Sequence, residues 1–311
     1  MPFAVIFPGQ GAASPGAGHP WTDHPAWSVV ADAEAATGLD LARLLLDADA
    51  EELSTTRASQ LAVLLGSLVA WDALSAQLDE APVAFAGHSL GQITALIAAG
   101  AIDRADGFRL AARRAELSQE SADARPGRMV ALLGAELDVA GRVCDGGPDV
   151  WIANDNAPGQ VVIAGTPDGV EAAAERAKAL GVRRVMPLDV GHAFHTPLLA
   201  EAAEELHGLL ATLDFRESAA PVVSNVDALG HTDPACWADQ LTRHLVEPVR
   251  WRESQRALAA SGATAFVEAG PGKVLAGLAK RTVPDVTVHD LTVPADLDPV
   301  VGALAPTGVP R

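Results

Sequence analysis

Residues 87–91, with the sequence Gly-His-Ser-Leu-Gly, have the residue types and spacing of a nucleophile elbow. The apolar run 83–86 precedes them and predicts a buried strand. The run 93–99 follows and predicts a closely packed helix. Strand, Gly-x-Ser-x-Gly and helix in this order place Ser89 at the tip of a sharp strand-to-helix turn.

A serine at the tip of such a turn can act as a nucleophile in acyl transfer. The free N–H groups and the dipole at a helix N-terminus favour negative charge, which the oxyanion of an acyl-transfer intermediate carries. Gly87 and Gly91 leave room where Cβ atoms would collide. The competing interpretation is an ordinary serine in a glycine-rich turn, and the motif alone is compatible with both.

A serine nucleophile needs a base, and His195 is the best candidate among the nine histidines. It lies between a predicted strand and Pro197, which favours the first turn of a helix, so a loop can carry it to the elbow. His192 lies three residues earlier. His88 adjoins the serine but is expected to point away from it. A purely structural histidine is the alternative interpretation for each.

Arg113 and Arg114 lie within one predicted helix downstream of the elbow. Adjacent helical residues point about 100° apart, so at most one of the two can face a cleft. A buried arginine is well suited to bidentate recognition of a carboxylate. On spacing alone, an ordinary solvated helix face is the simpler interpretation.

The composition excludes several classes of partner. The chain has 311 residues, 49% of them hydrophobic, which suffices for a large core. A formal net charge of −18 and an aromatic content of only 4% argue against nucleic acid and anionic membranes. Two cysteines, Cys144 and Cys236, make a disulfide framework or a cysteine metal site improbable.

The order of predicted elements indicates an α/β fold with a mostly parallel sheet. Residues 1–7 lack a basic leader and predict a first strand, and no apolar run is expected to span a membrane, so a cytoplasmic protein follows. Residues 126–190 show the order β-α-β-β-α-β of a ferredoxin-like unit. We therefore expect a large α/β-hydrolase-like domain, residues 1–125 and 191–311, with a small ferredoxin-like insert. The proline-rich tail from Val283 is expected to be weakly structured.

The chain resembles the malonyl-CoA:acyl carrier protein transacylases and the acyltransferase domains of polyketide synthases. The resemblance extends over almost the whole length, and the joint order of its short motifs is specific. These motifs are FPGQG at 7–11, GHSLG at 87–91, Arg114, NDNAPGQVV at 154–162, HAFH at 192–195, EPVRW at 247–251 and EAGPGKVL at 268–275.

The resemblance implies a catalytic dyad rather than a triad. Ser89 matches the nucleophile and His195 matches its base. In the family a main-chain carbonyl orients that histidine, and the matching position here is His244, where relatives carry Gln or Asn. Gln10 and Leu90 match the residues whose backbone N–H groups form the oxyanion hole.

The resemblance also implies a substrate site for a dicarboxylic acyl group. Arg114 matches the arginine that binds the free carboxylate of malonyl, and Gln60 and Asn156 match polar residues of the same cleft. In polyketide relatives, the motif HAFH is found in domains that select malonyl as the extender unit. Here the motif includes His192 and Phe194, and the bulky Phe194 would crowd the α-methyl group of methylmalonyl. Neither a metal nor a bound cofactor is implied, and coenzyme A enters as the substrate thioester.

The implied function is transfer of malonyl from malonyl-CoA to the phosphopantetheine thiol of an acyl carrier protein. The reaction passes through an acyl-serine with ping-pong kinetics and serves fatty acid or polyketide synthesis. A monomer is expected. Two basic pairs, Arg183-Arg184 and Lys280-Arg281, are either solvated charges or a docking site for an acidic carrier protein.

Three alternatives compete with this function. A serine hydrolase or thioesterase uses the same elbow, with water instead of a thiol attacking the acyl-serine. A non-catalytic module that binds carrier proteins is disfavoured because both dyad positions are present. A trans-acting acyltransferase, with a different extender unit, has the same chemistry and differs only in its substrate and partner.

Overall fold

The computed structural model describes residues 1–305, which form two β-sheets and the helices around them. The strands are β1 Phe3–Phe7, β2 Ala84–Gly87, β3 Arg128–Leu133, β4 Val150–Ala157, β5 Gln160–Gly165, β6 Arg184–Pro187, β7 Val222–Val223, β8 Gly230–His231, β9 Ala265–Ala269 and β10 Thr287–Leu291. The α-helices are α1 Ser28–Thr37, α2 Leu41–Leu46, α3 Ala50–Ser54, α4 Thr56–Ser75, α5 Gly91–Ala98, α6 Arg104–Ala124, α7 Leu137–Asp145, α8 Pro167–Ala179, α9 Ala200–Leu210, α10 Trp237–Val246, α11 Trp251–Ala260, α12 Val274–Thr282 and α13 Leu297–Leu304.

The larger sheet has six strands in the order β10-β9-β1-β2-β7-β8. All neighbouring strands are parallel except the edge pair β7 and β8. This arrangement confirms the predicted α/β fold with a mostly parallel sheet. The central strand β1 is buried along its whole length, as expected for a parallel strand covered on both faces.

Helices cover both faces of the larger sheet. Because side chains alternate along a strand, Phe3, Val5 and Phe7 join the core that contains α4, whereas Ala4 and Ile6 join the core that contains α11 and α12. Helix α4 is long and apolar enough to cross a membrane, contrary to the sequence prediction, but most of it is buried inside the protein. Its hydrophobicity is that of a core helix.

The smaller sheet has four antiparallel strands in the order β4-β5-β3-β6. Its elements follow one another as β-α-β-β-α-β, which confirms the predicted ferredoxin-like unit. One face packs on α7 and α8 through Val130 and Leu132, and the alternate residues Met129 and Ala131 lie on the opposite face. The Gly127 N–H donates to the Gly191 carbonyl where the chain enters and leaves this unit. The exact domain boundaries stay a prediction.

The prediction of a weakly structured tail after Val283 is wrong for the described residues up to 305. β10 extends the larger sheet in parallel beside β9, and α13 follows it. The prolines misled the prediction because they occupy positions that need no backbone donor. Pro294 begins a 3-10 turn, and Pro299 lies in the first turn of α13. The expectation for residues 306–311 lies outside the described residues.

Candidate active site

The turn between β2 and α5 holds Ser89 in a left-handed conformation with φ of +52°. Glycine is required on both sides of it. A Cβ at Gly87 would lie 1.8 Å from the carbonyl oxygen of Gly91, and one at Gly91 would lie 2.3 Å from the Phe7 oxygen. The serine is therefore held in a strained, crowded turn between a strand and a helix, as in a nucleophile elbow.

Ser89 and His195 are in direct contact. The Ser89 Oγ lies 2.8 Å from Nε2 of His195, and Nδ1 of His195 lies 2.8 Å from the carbonyl oxygen of His244. A carbonyl can only accept, so Nδ1 carries the proton and Nε2 is free to accept one from the serine hydroxyl. The His244 carbonyl is available because it lies in the last turn of α10, where helix carbonyls lack intrahelical partners.

The environment keeps the imidazole of His195 neutral. Burial, with the positive charge of Arg114 as a smaller cause, lowers the pKa of His195 to about 3, against the opposing effect of the His244 carbonyl. The ring is 4% exposed. A neutral imidazole with a free Nε2 is the form that can accept a proton.

Arg114 projects from α6 into the same site. Its Nη2 donates to Ser89 Oγ at 3.1 Å and its Nη1 to Oε1 of Gln60 at 2.6 Å. Burial lowers the pKa of Arg114 to about 10, so the guanidinium is still charged at neutral pH. Within residues 1–305, no carboxylate pairs with it. Its neighbour Arg113 instead forms surface ion pairs with Glu116 and Glu205, so only one of the two arginines faces the site.

Polar groups continue from Arg114 to the loop after β1. Gln60 donates from Nε2 to Oε1 of Gln10 at 3.3 Å. The backbone N–H groups of Gln10 and Leu90 have no protein acceptor in the described part of the chain. Leu90 directly follows the serine and precedes α5. The structure thus leaves two backbone donors free at the positions where an oxyanion hole is expected.

A cleft of about 250 Å³ opens over Ser89. One wall is formed by residues outside the smaller sheet, including Gln10, Gln60, Ser89 and Phe194. The other wall is formed by residues of the smaller sheet, including Met129, Ala131, Asn156 and Val162. The site therefore lies between the two sheets.

The remaining candidate residues differ in their positions. Asn156 lines the cleft, and its Oδ1 lies 2.8 Å from Nε2 of His88, which accounts for the direction of that ring away from Ser89. His192, which the resemblance places at the substrate, is not among the residues that line this cleft. His192 is fully buried, with Nδ1 against the Arg125 carbonyl and Nε2 against the Ser121 hydroxyl. It touches the cleft only through Phe194, whose ring packs edge-on against it.

Asn225 was missed by the sequence interpretation. Its Oδ1 accepts from the Ser89 N–H at 2.9 Å, and its Nδ2 donates to the Gly87 carbonyl at 2.8 Å. Its own N–H donates to Oε1 of Gln92, for which the sequence analysis predicts no role. The buried side-chain amide of Asn225 thus binds backbone groups on both sides of His88 in the turn. The available signal is that residues 221–225 predict a strand that ends at Asn225, because the carboxyl ends of parallel strands meet at one edge of a sheet.

Comparisons with known proteins identify the relatives of this chain. The acyl transferase domain family matches residues 5–304. The malonyl CoA-acyl carrier protein transacylase of Salmonella typhimurium is 40% identical over 304 residues, which covers 95% of this chain and 97% of the relative. The chain belongs to the malonyl-CoA:acyl carrier protein transacylase family.

Solved structures support the same relationship. The acyl-carrier-protein S-malonyltransferase of Burkholderia pseudomallei has a TM-score of 0.92 and 38% identity, with 97% of this chain and 100% of that chain covered. A malonyl-transacylase solved in complex with a type II polyketide synthase acyl-carrier protein has a TM-score of 0.93 and 34% identity, with 97% and 100% covered.

Proposed function

We propose that the protein transfers a malonyl group from malonyl-CoA to the phosphopantetheine thiol of an acyl carrier protein. The observation that carries the proposal is the buried guanidinium of Arg114, which lies 3.1 Å from Ser89 Oγ and has no carboxylate partner in residues 1–305. A buried, unpaired cation favours an anionic ligand strongly. The free carboxylate of a malonyl thioester would meet Arg114 while its thioester carbon meets the serine.

In the first half-reaction, Ser89 Oγ attacks the thioester carbon and its proton passes to Nε2 of His195. The free N–H groups of Gln10 and Leu90 stabilise the oxyanion. The carbon–sulfur bond then breaks, and His195 returns the proton to the departing thiolate, which leaves as the free thiol of coenzyme A. The product is a malonyl ester of Ser89.

In the second half-reaction, the carrier's phosphopantetheine thiol gives its proton to His195 and its sulfur attacks the ester carbon. The carbon–oxygen bond to Ser89 breaks and His195 protonates the serine oxygen. Each half-reaction returns the dyad to its starting protonation state, as ping-pong transfer requires. The His244 carbonyl holds the proton on Nδ1 throughout. A carbonyl in that position matches the dyad that the family resemblance implies.

Intact-mass analysis after mixing with malonyl-CoA tests this function. We expect a gain of one malonyl unit in the wild-type protein and no gain in Ser89→Ala. Addition of a phosphopantetheinylated carrier protein should then remove the gain and add it to the carrier. Consumption of malonyl-CoA to free malonate, with no transfer to a carrier, would contradict the proposal and support a hydrolase.

Phe194 gives a prediction about the extender unit. Its side chain lines the cleft, where an α-methyl group of the acyl chain would meet it. We expect Phe194→Ala to lower the preference for malonyl-CoA over methylmalonyl-CoA by about tenfold, in the range that one methyl group is worth in a pocket. Competition between the two thioesters, with the acyl-serine read by mass, measures the ratio. An unchanged ratio, with malonyl loading intact, would show that Phe194 does not select the extender.

The end of α12 gives a prediction about the carrier protein. Lys280 and Arg281 are exposed there, and Arg281 Nη2 donates to Oε1 of the cleft residue Gln160 at 2.5 Å. We propose that this pair docks an acidic carrier protein at the cleft mouth. Charge reversal of both should raise KM for the carrier by about tenfold and leave KM for malonyl-CoA unchanged.

The other basic pair provides a matched control for this experiment. Arg183→Glu with Arg184→Glu changes the net charge by the same amount on the small unit, where both side chains are exposed. We expect KM for the carrier to change less than twofold in that variant, about the level of a rim charge. Equal effects of the two double reversals would indicate a general charge effect and contradict docking at α12.

We further propose that the enzyme is a cytoplasmic monomer. Within residues 1–305 the exposed large apolar side chains come from three separate parts of the chain: Leu137 on α7, Leu229 in the loop before β8 and Val274 on α12. Cys144 and Cys236 are free thiols, as is usual in a reducing compartment. Light scattering should give a mass near 32.0 kDa. A mass of twice that value, or recovery outside the cytosolic fraction of cells, would contradict the proposal.

A further inference from the structure

His244 contributes more to the site than its carbonyl. His244 is 2% exposed, and its imidazole lies against the ring of His195, with ring centroids 5.1 Å apart and planes tilted by 30°. This separation is typical of offset aromatic stacking. Its Nε2 is buried without a hydrogen-bond partner in the described residues. The side chain therefore contacts the base by its ring face and makes no polar contact through Nε2.

The surroundings of His244 contain cationic and neutral groups. His195 faces it from the loop before α9, Arg114 from α6 and His88 from the elbow. No carboxylate is among the groups that change the pKa of His244. Burial first, then these groups, lowers the pKa of His244 well below its ordinary value. The ring is thus neutral at physiological pH and cannot act as a counter-ion for His195.

We infer that the side chain of His244 is a positioning residue, which fixes the ring plane of His195 by stacking on it. The two hydrogen bonds of His195, to Ser89 Oγ and to the His244 carbonyl, lie in the ring plane. They hold Nδ1 and Nε2 mainly along directions within the ring plane and resist tilting of the ring out of that plane more weakly. Such tilting is rotation about the Cβ–Cγ bond, a torsion that is otherwise soft, and a group on the ring face limits it. His244 therefore holds the base in two ways: its carbonyl binds Nδ1 within the ring plane, and its imidazole packs on the ring face.

The inference rests on the proposed function only in the assignment of His195 as the base of Ser89. A fluorophosphonate probe tests it without any acyl-CoA. Ser89 Oγ forms a bond to phosphorus, the phosphorus–fluorine bond breaks, and the serine proton passes to His195 as fluoride departs. Failure of the proposed substrate would leave this labelling unaffected, so the two failures can be told apart.

We expect His244→Ala to label about tenfold more slowly than wild type, because loosening a catalytic group by a fraction of an ångström costs this much. His244→Phe keeps a flat ring without nitrogen atoms and should label within about threefold of wild type. Leu245→Ala, a buried neighbour on α10, controls for loss of packing and should label within about twofold. His195→Ala should abolish labelling.

Melting temperatures measured beside the rates separate unfolding from positioning. Slow labelling in His244→Ala at a melting temperature equal to that of Leu245→Ala, with recovery in His244→Phe, supports the inference. Labelling of His244→Ala at the wild-type rate would overturn it. So would His244→Phe as slow as His244→Ala, because the imidazole nitrogens and not the ring face would then matter.

Discussion

Arg114→Ala is expected to slow malonylation of Ser89 about a hundredfold at subsaturating malonyl-CoA. A charge-assisted pair between guanidinium and carboxylate is worth about 2–3 kcal/mol when desolvated, which corresponds to this factor. Arg114 is buried and lies within hydrogen-bond distance of the nucleophile, so a carboxylate bound to it would also set the distance of the thioester from Ser89. Loading rates from intact mass at several concentrations of malonyl-CoA measure the effect.

The adjacent residue Arg113 provides a control, because its side chain points away from the site. Arg113 lies on the same helix, is partly exposed and forms ion pairs at the surface. Because surface pairs contribute little, Arg113→Ala should load malonyl at the wild-type rate. Acetyl-CoA has no free carboxylate, so its slow loading should not fall in Arg114→Ala. Equal losses with malonyl-CoA and acetyl-CoA would show that Arg114 supports the dyad and does not recognise the carboxylate.

The two arginines also show where sequence reasoning ends. Helical geometry predicts that at most one of them faces a cleft, and the structure confirms it. The choice between them depends on how α6 lies against α4, which is a tertiary contact. Among the sequence features, only the family resemblance favours Arg114. In the same way, Gly87 and Gly91 are local requirements of a turn and could be predicted from the sequence.

Asn225 is the opposite case, because its role depends on a partner far away in the chain. It reaches Ser89 only because β2 and β7 are parallel neighbours, and β7 has just two residues. The sequence predicts a strand here, but a strand pattern does not show which other strand it pairs with. Similarly, no local pattern predicts that β10 extends the larger sheet, since its surroundings contain several prolines. Long-range pairing therefore accounts for most of what the sequence did not predict.

The position of His192 also depends on long-range contacts. The motif at 192–195 places two histidines three residues apart, and both were expected at the substrate. The turn at His195, where φ is +60°, directs that ring to Ser89. His192 instead packs behind Phe194 and binds the backbone at Arg125. It supports the wall of the cleft from below, a role that depends on the fold of both sheets.

The pH dependence of serine loading should be unusually flat on the acid side. Because the pKa of His195 is lowered to about 3, its neutral form is present throughout the range from pH 8 to pH 5. An ordinary histidine with a pKa of about 6.5 would be neutral in only about 3% of molecules at pH 5, a loss of about thirtyfold. We expect kcat/KM for loading at pH 5 to lie within about threefold of its value at pH 7.

Bound substrate should raise the pKa of His195. The charge of Arg114 is one cause of the lowered pKa of His195, and a bound malonyl carboxylate offsets that charge. The pKa of His195 is therefore higher in the complex than in the free enzyme, and the acid limb of kcat should lie at higher pH than that of kcat/KM. Enzyme returned from pH 5 to pH 7 should recover fully, which controls for unfolding. A half-maximal kcat/KM near pH 6.5 would mean that the base is solvated and that burial does not hold it neutral.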